Sequence, residues 1–410
     1  MVGKCSRLFV LASIGALVLV SGCQTSLDGF AKRRVLNAVG RTISKKAYAH
    51  DVDFSQERWR ELYTDEQSLF DEAETDEDFA EAIQTVLDEY GLSHLDCYSA
   101  ARAANRRHGR RTGIGVLGVE LDDGILAAGV VAGSPAEEAG IKRGDLILSV
   151  DGAPARKRKQ FRGETGQVRQ LEWLHDGMPK SADVVQARFR RASPDELTWL
   201  DDDIAWIKVH SFSKSLYRRR QVEGFFKEAA DAQGVILDLR GNLGGYVHNV
   251  SHLAGQVLDR KTCISVIIYR DTVAKFRRKN PDAPGSMAEL IAYTDETLLA
   301  AARLNHVPYR GKLVVLVDSL SGSGGELLPA ALQELGRAEV IGAVSFGKVL
   351  LATTYGLPRG FRLHVPIGEI VTPGGQRIEG TGVQPNVLLT HRETADDDHV
   401  IALAREAILR

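Results

Sequence analysis

Residues 313–352 read Leu313-Val-Val-Leu-Val317, then Asp318-Ser-Leu-Ser-Gly-Ser323-Gly-Gly-Glu326, then a helical pattern to Gly336, a short strand Val340-Ile341-Gly342, and Ser345-Phe-Gly-Lys348. A β-branched apolar run, a Gly/Ser turn and an amphipathic helix together describe a buried strand whose tip carries an exposed hydroxyl. Folds display a nucleophilic serine in this way. The amide of Gly324, at the positive end of the helix, points at any oxyanion that forms beside Ser323. A nucleophile also needs a base, and no histidine lies nearby in sequence. Lys348 follows a glycine at the start of another strand, and it serves if burial lowers its pKa enough to leave it neutral near pH 7.

Gly/Ser turns between strand and helix are common, so the turn alone decides little. A phosphate loop is the rival, because Gly342-x4-Gly347-Lys348 matches most of that motif. It fails at Val349, which replaces the Ser or Thr that would hold magnesium, and at Leu350 to Tyr355, which reads as strand rather than helix.

Ser321-Gly-Ser323-Gly-Gly-Glu326, Gly336-Arg337 and Phe346-Gly347-Lys348, with the lysine 348 − 323 = 25 residues after the serine, resemble the carboxyl-terminal (tail-specific) processing proteases. That family carries Ser-Ala-Ser-Ala-Ser-Glu and then Phe-Gly-Lys at the same spacing. The resemblance selects Ser323 over Ser319 and Ser321, and it implies a serine endopeptidase with a Ser323–Lys348 dyad. It implies an α/β chain with a helical N-terminal arm, a PDZ domain and a ClpP/crotonase-like spiral α/β protease core. Three departures stand out. The glutamine that orients the lysine in the family is replaced by Ala352, leaving Thr353, Thr354 or Glu334 to hold Lys348. Pro329 sits early in the nucleophile helix, where it removes a backbone bond. Gly324 and Gly325 make the elbow more flexible than the family's alanine and serine.

Outward from this core, residues 23–110 are charged and helix-patterned, with Thr75-Asp-Glu-Asp78 capping a helix that carries Phe79, Ile83 and Val86-Leu87. Gly91-Leu-Ser-His-Leu-Asp-Cys-Tyr-Ser99 breaks that helix and resembles the segment before the PDZ domain in processing proteases. His94 is the alternative base, but a loop histidine is read first as polar surface. Over 111–192 short strands alternate with glycine turns. Gly113-Ile114-Gly115-Val116, Gly133-Ser-Pro-Ala136, Ala139-Gly-Ile-Lys-Arg-Gly-Asp145 and Leu148-Ser-Val-Asp-Gly152 resemble a bacterial PDZ domain, in which the 113–116 amides capture a peptide carboxylate beside an added strand.

The protease core is expected over 193–392, with strands at Asp203 to His210 and Gly234 to Leu239 bracketing a helix. Asp238-Leu-Arg240-Gly-Asn242-Leu-Gly244-Gly245 matches the family signature Asp-Leu-Arg-x-Asn-x-Gly-Gly. The bare amide of Gly244 or Gly245 supplies the second oxyanion donor, while Arg240 and Asn242 brace the loop. His248 and His252 lie one helical turn apart, a zinc spacing without a third ligand, so no metal and no cofactor are expected. Thr372-Pro-Gly-Gly375 and Gly380-Thr-Gly-Val-Gln-Pro385 resemble the family's closing strands, and a helix is expected within 393–410.

At 410 residues and 44% hydrophobic the chain buries a substantial core, and its net charge of −2 argues against nucleic acid. Residues 1–22 have signal-peptide anatomy, with Lys4 and Arg7 ahead of an apolar stretch from Leu8 to Val20. Val20-Ser21-Gly22-Cys23 resembles a lipobox, making Cys23 the lipidated first residue. Gln24 then implies the outer membrane, facing the periplasm. Cys97 and Cys263 either form one disulfide or remain separate thiols. The partners expected are protein substrates with C-terminal tails and the outer-membrane lipid, with room for a homo-oligomer or an adaptor. A catalytically inactive relative acting as a PDZ peptide-binding scaffold is the second reading.

Overall fold

The computed structural model describes residues 27–107, 110–190, 193–200 and 203–410. The signal segment and Cys23 lie outside the described residues. Among those described, no helix is long and apolar enough to cross a membrane.

The chain opens with helices α1 (Gly29–Lys46), α2 (Gln56–Asp65), α3 (Gln67–Glu72) and α4 (Asp76–Asp88), then strand β1 (Asp96–Tyr98) and α5 (Ala100–Arg107). The expected cap at Thr75 is present: Asp78 N–H donates to Thr75 Oγ1 at 3.1 Å, and Thr75 N–H donates to the Asp78 carboxylate at 2.9 Å. These helices are no free arm. Val39, Ile43, Phe79 and Ile83 pack with Phe361, Leu363 and Val365 from the far end of the chain in one apolar cluster.

The next strands are β2 (Arg110–Gly113), β3 (Val116–Leu121), β4 (Gly124–Val130), β5 (Leu146–Val150), β6 (Ala153–Pro154), β7 (Val168–His175), β8 (Met178–Val185) and β9 (Ala187–Arg190), with helix α6 (Pro135–Glu138) between β4 and β5. The sheet order is β3-β4-β5-β7-β8, which leaves β3 on an edge, and β2 pairs with β9.

Beyond lie β10 (Glu196–Leu200), β11 (Ile204–Lys208), α7 (Arg219–Glu228), β12 (Gly234–Asp238), α8 (Val247–Val257), β13 (Cys263–Tyr269), α9 (Arg270–Lys279), α10 (Met287–Tyr293) and β14 (Thr297–Leu299). The rest is β15 (Lys312–Val317), α11 (Gly324–Glu334), β16 (Glu339–Gly342), β17 (Leu351–Gly356), β18 (Arg362–Val371), β19 (Val387–Leu388), α12 (His391–Ala395) and α13 (Asp397–Leu409). Six strands form one sheet in the order β10-β11-β12-β15-β16-β19, parallel except at β10. Both faces are covered, as a parallel sheet requires. The period-2 alternation sends Val235, Leu237, Val315 and Val317 toward α8 and α11, and Ile236, Val314 and Leu316 toward Val400, Ala404 and Ile408 of α13. A second sheet joins β1, β18, β13 and β14, with β17 on β18.

Three sequence expectations are corrected or decided here. Cys97 and Cys263 are both free thiols, and burial pushes the Cys97 thiol up to about 12. Pro329 lies inside α11 without ending it, so the helix continues to Glu334. Glu334 does not turn to Lys348: its carboxylate accepts from the Gly374 amide at 2.5 Å and from the Thr372 hydroxyl.

At the end of β12, Arg240 donates from Nε and Nη2 to the Asp238 carboxylate at 2.9 and 2.7 Å, and from Nη1 to the Thr394 carbonyl at 3.0 Å. Burial would raise the Asp238 pKa, but the Arg240 charge and its hydrogen bonds outweigh it and hold the carboxyl well below its ordinary value. A depressed folded pKa contributes stability above the unfolded value, about 3.9, which is lost as pH falls through the folded one. Arg240→Ala leaves Asp238 buried and unpaired, so urea unfolding at pH 7 should show a loss of about 3–5 kcal/mol, shrinking as the pH is lowered.

Candidate active site

Open α/β sheets place their sites in the crevice beyond the carboxyl ends of the strands, and three neighbouring strands do so here. The turn after β15 carries Ser323, the loop after β12 carries Gly244 and Gly245, and the loop after β16 carries Lys348.

Ser323 is half-buried with φ 53° and ψ −118°, immediately before α11. A non-glycine residue at positive φ is strained and persists only where its surroundings hold it. The hold is on the backbone amides: Ser323 N–H donates to the Lys348 carbonyl at 3.0 Å and to the Glu326 side chain at Oε1 at 3.0 Å, while Gly322 N–H donates to the Asn242 carbonyl at 2.9 Å. Ser321 is spoken for, since its hydroxyl donates to the Leu239 carbonyl at 2.9 Å deep in the core.

Glu326 was quoted in the sequence motif without a role, and the structure supplies one. It is fully buried, and each of its oxygens accepts two donors. Oε1 takes the amides of Ser323 (3.0 Å) and Lys348 (2.7 Å); Oε2 takes the Gly347 amide (2.7 Å) and the Ser345 hydroxyl (2.5 Å). Burial raises its pKa, with these hydrogen bonds opposing the rise. The apolar surroundings expected of a helix interior hid this role in the sequence.

The oxyanion donors divide differently from the sequence reading. Gly244 N–H already donates to Asn242 Oδ1 at 2.8 Å, so it is committed to the loop, and Asn242 Nδ2 donates to the Val209 carbonyl at 2.9 Å. Asn242 is the expected brace. Among the described residues the amides of Gly324 and Gly245 have no internal acceptor. Gly244 instead provides closeness: at φ 83°, a Cβ there would stand 2.6 Å from Gly324 N and 2.7 Å from Ser323 Cβ.

Lys348 departs most from expectation. It is exposed rather than buried, and its Nζ lies 4.3 Å from the centroid of the Phe346 ring. No hydrogen bond joins Nζ to the Ser323 hydroxyl among the described residues. Thr354, a candidate orienter, shares a 3.0 Å hydrogen bond with His364 Nδ1 instead, and Ala352 lies opposite Pro366 in the β17–β18 ladder.

His94 is not loose surface. It is half-buried with φ 59° in the loop between α4 and β1, and its Nδ1 is 2.7 Å from Ser93 Oγ. Ser93 N–H and Oγ each donate to Glu379, both at 2.9 Å, and Glu379 Oε2 also accepts the Val349 amide at 2.8 Å. Glu379 was missed from the sequence, where its only signal is an acid ahead of Gly380-Thr-Gly-Val. The two helical histidines form no metal site: His252 bonds Tyr217 and Glu223, His248 stacks on Tyr246, and no cluster of three metal-ligating side chains occurs among the described residues.

In the PDZ-like sheet, Gly113-Ile114-Gly115-Val116 leads into the open edge of β3, where an extended peptide can add. Ile114 is buried, and its carbonyl accepts the Ala136 amide at 2.8 Å. Gly115, at φ 97°, has no room for a side chain, because a Cβ would lie 2.2 Å from Ser134. Arg143, in the turn between α6 and β5, reaches the core, donating to the Thr394 carbonyl at 3.0 Å and to Asp318 at 3.4 Å.

Comparison with known proteins agrees with this architecture. Residues 203–389 match peptidase family S41, and 126–164 match the PDZ domain. The carboxy-terminal processing protease CtpA of Bacillus subtilis is 27% identical over 284 residues, 67% of this chain and 55% of its own length. The carboxyl-terminal-processing protease of Synechocystis sp. is 26% identical over 390 residues, 91% of this chain and 84% of its own. The chain thus spans little more than half of the former relative and most of the latter. Two solved structures share the fold: the photosystem II D1 C-terminal processing protease (TM-score 0.60, 20% identity, 90% of this chain and 96% of that one) and mature CPAF (TM-score 0.61, 12% identity, 93% and 97%).

Glutamine at 326 sets an amide nitrogen against two donors whichever way it flips. Glu326→Gln should therefore lower unfolding stability by about 2–4 kcal/mol and slow labelling of Ser323 by a fluorophosphonate, both measurable on the purified chain.

Proposed function

We propose, from the match of residues 203–389 to peptidase family S41 and of 126–164 to the PDZ domain, that the chain is a serine endopeptidase that cleaves proteins near their C-terminal tails. The observation that carries this is Ser323, held at positive φ at the N-terminus of α11, with the uncommitted amides of Gly324 and Gly245 beside it. Ser323 Oγ attacks the scissile carbonyl, and the two amides receive the oxyanion. The β3 edge and the 113–116 amides take the substrate's terminal carboxylate.

The spacing to Ser323 nominates Lys348 as the base. To act so, its side chain must leave the Phe346 ring and enter the cleft, where contact with substrate would desolvate it. The names of the two relatives support tail processing, while the lipobox residues support a lipoprotein anchored through Cys23 in an outer membrane and facing the periplasm. An inactive PDZ scaffold is the competing reading, favoured by the exposure of Lys348.

Digestion of a protein with an apolar C-terminus should proceed with wild type and fall at least about a thousandfold with Ser323→Ala. Wild type that neither cleaves nor reacts with a fluorophosphonate would leave only the scaffold. A peptide with a free C-terminal carboxylate should bind about tenfold tighter than its C-terminal amide by fluorescence anisotropy; equal affinities would remove the tail-receptor role. Cys23→Ser should shift the protein out of the outer-membrane fraction, and unchanged partition would dismiss the anchor.

A further inference from the structure

We propose that the solvent face of α1 docks on a bilayer leaflet that carries anionic phospholipid; this rests on the Cys23 anchor proposed above for how the helix is brought to the lipid, not for how it binds there. Over Gly29–Lys46 the helix carries six lysines and arginines and no acid. Its inner face is committed, with Val35, Leu36, Val39 and Ile43 buried in the apolar cluster that joins the N-terminal helices to β18. That packing fixes the rotation of the helix, and the 3.6-residue period then sets Phe30, Arg33, Arg34, Asn37, Arg41 and Lys45 on one exposed stripe. At a rise of about 1.5 Å per residue the stripe is about 22 Å long.

A basic helix can be no more than a solvated face, and Lys45 and Lys46 do complement the negative end of the helix dipole. Arg33 and Arg34 stand in the N-terminal half, where the dipole gives them nothing, and none of the stripe's cations forms an ion pair among the described residues. The imbalance is local. The whole chain has a net charge of −2, and the acids of the same helical layer gather on α4, which has five and no base. Segregated in this way, the charges leave one basic surface instead of cancelling. At the end of the stripe α9 abuts α1, with Arg270 donating to the Ser44 carbonyl and Lys275 exposed beyond it.

Phe30 makes the partner a lipid rather than an acidic protein. It is 64% exposed in the first turn of α1, it joins no apolar cluster among the described residues, and the Arg34 guanidinium lies 5.9 Å from its ring centroid. A phenyl ring flanked by guanidinium groups matches the boundary between headgroups and acyl chains, where the ring enters the apolar layer while the cations meet phosphates. Position along the chain agrees. An acylated Cys23 lies six residues before Gly29, so α1 begins within about 22 Å of the bilayer. Because the apolar face of α1 is held by the core, docking is electrostatic with one ring as a wedge, and salt reverses it.

The full chain carrying Phe30→Trp is reconstituted on vesicles of phosphatidylcholine, with or without about one third phosphatidylglycerol. Quenching by lipids brominated in their acyl chains is read against wild type, which corrects for the native tryptophans. Quenching at position 30 should at least about double with phosphatidylglycerol and return to the phosphatidylcholine level in about 0.5 M salt. Each cation removed weakens the attraction about fivefold, so Arg33→Gln with Arg34→Gln and Arg41→Gln should shift docking about a hundredfold and abolish the difference between the two vesicles. Lys180→Gln with Arg220→Gln and Lys227→Gln, the same charge taken from exposed positions elsewhere, should leave it intact. Quenching equal on both vesicles, or unmoved by the α1 triple variant, overturns the proposal, and the vesicle comparison decides it even if a charge variant melts early. The two readings fail separately: a Cys23→Ser chain that still partitions with the outer membrane removes the anchor alone, and equal quenching beside a working anchor removes the docking face alone.

Discussion

The site depends on one buried carboxylate. Glu326 sits in the first turn of the helix behind Ser323, yet three of the four hydrogen bonds it accepts come from the neighbouring loop, at Ser345, Gly347 and Lys348. Each charge-assisted bond contributes roughly 1.5–3 kcal/mol, and together they offset the cost of burying the charge. The Val383 amide donates in turn to Ser345 Oγ at 2.7 Å, which extends the same network to the closing segment. Two loops from adjacent strands thus share one counter-charge, and the strained backbone of Ser323 is held between them.

The other ties at the strand ends follow the same pattern. Asp318 accepts the Gly241 and Leu320 amides at 2.8 and 3.0 Å, joining the loop after β12 to the turn after β15. Arg143 reaches the same aspartate from the PDZ sheet, and both Arg143 and Arg240 donate to the Thr394 carbonyl. Side chains and backbone groups from four parts of the chain therefore meet within one hydrogen-bonded frame. Each of these groups fixes the backbone of a loop at the carboxyl ends of the strands.

Local patterns in the sequence carried the strand–turn–helix around Ser323, the parallel strands at 234–238 and 312–317, the cap at Thr75 and the bracing role of Asn242. Each is set by residues a few positions apart or by a period of 2 or 3.6. Side-chain commitments between distant segments were not legible. Nothing local says that Gly244 gives its amide to Asn242 while Gly245 does not, that Glu334 turns to Thr372, or that Lys348 faces solvent. Ser93 and Glu379 are 286 residues apart, and only the packing of the N-terminal helices on β18 brings them together. The same docking explains why residues that read as an arm are built into the core.

That separation has a consequence for a nascent chain. Ser323 precedes position 379, which supplies the carboxylate that grips Val349, and the segment that carboxylate also grips comes from position 93. Synthesis from the N-terminus exposes the nucleophile turn before the C-terminal segment exists. The loops around Ser323 therefore reach their held geometry only after position 379 has been made, a delay written in the order of the residues.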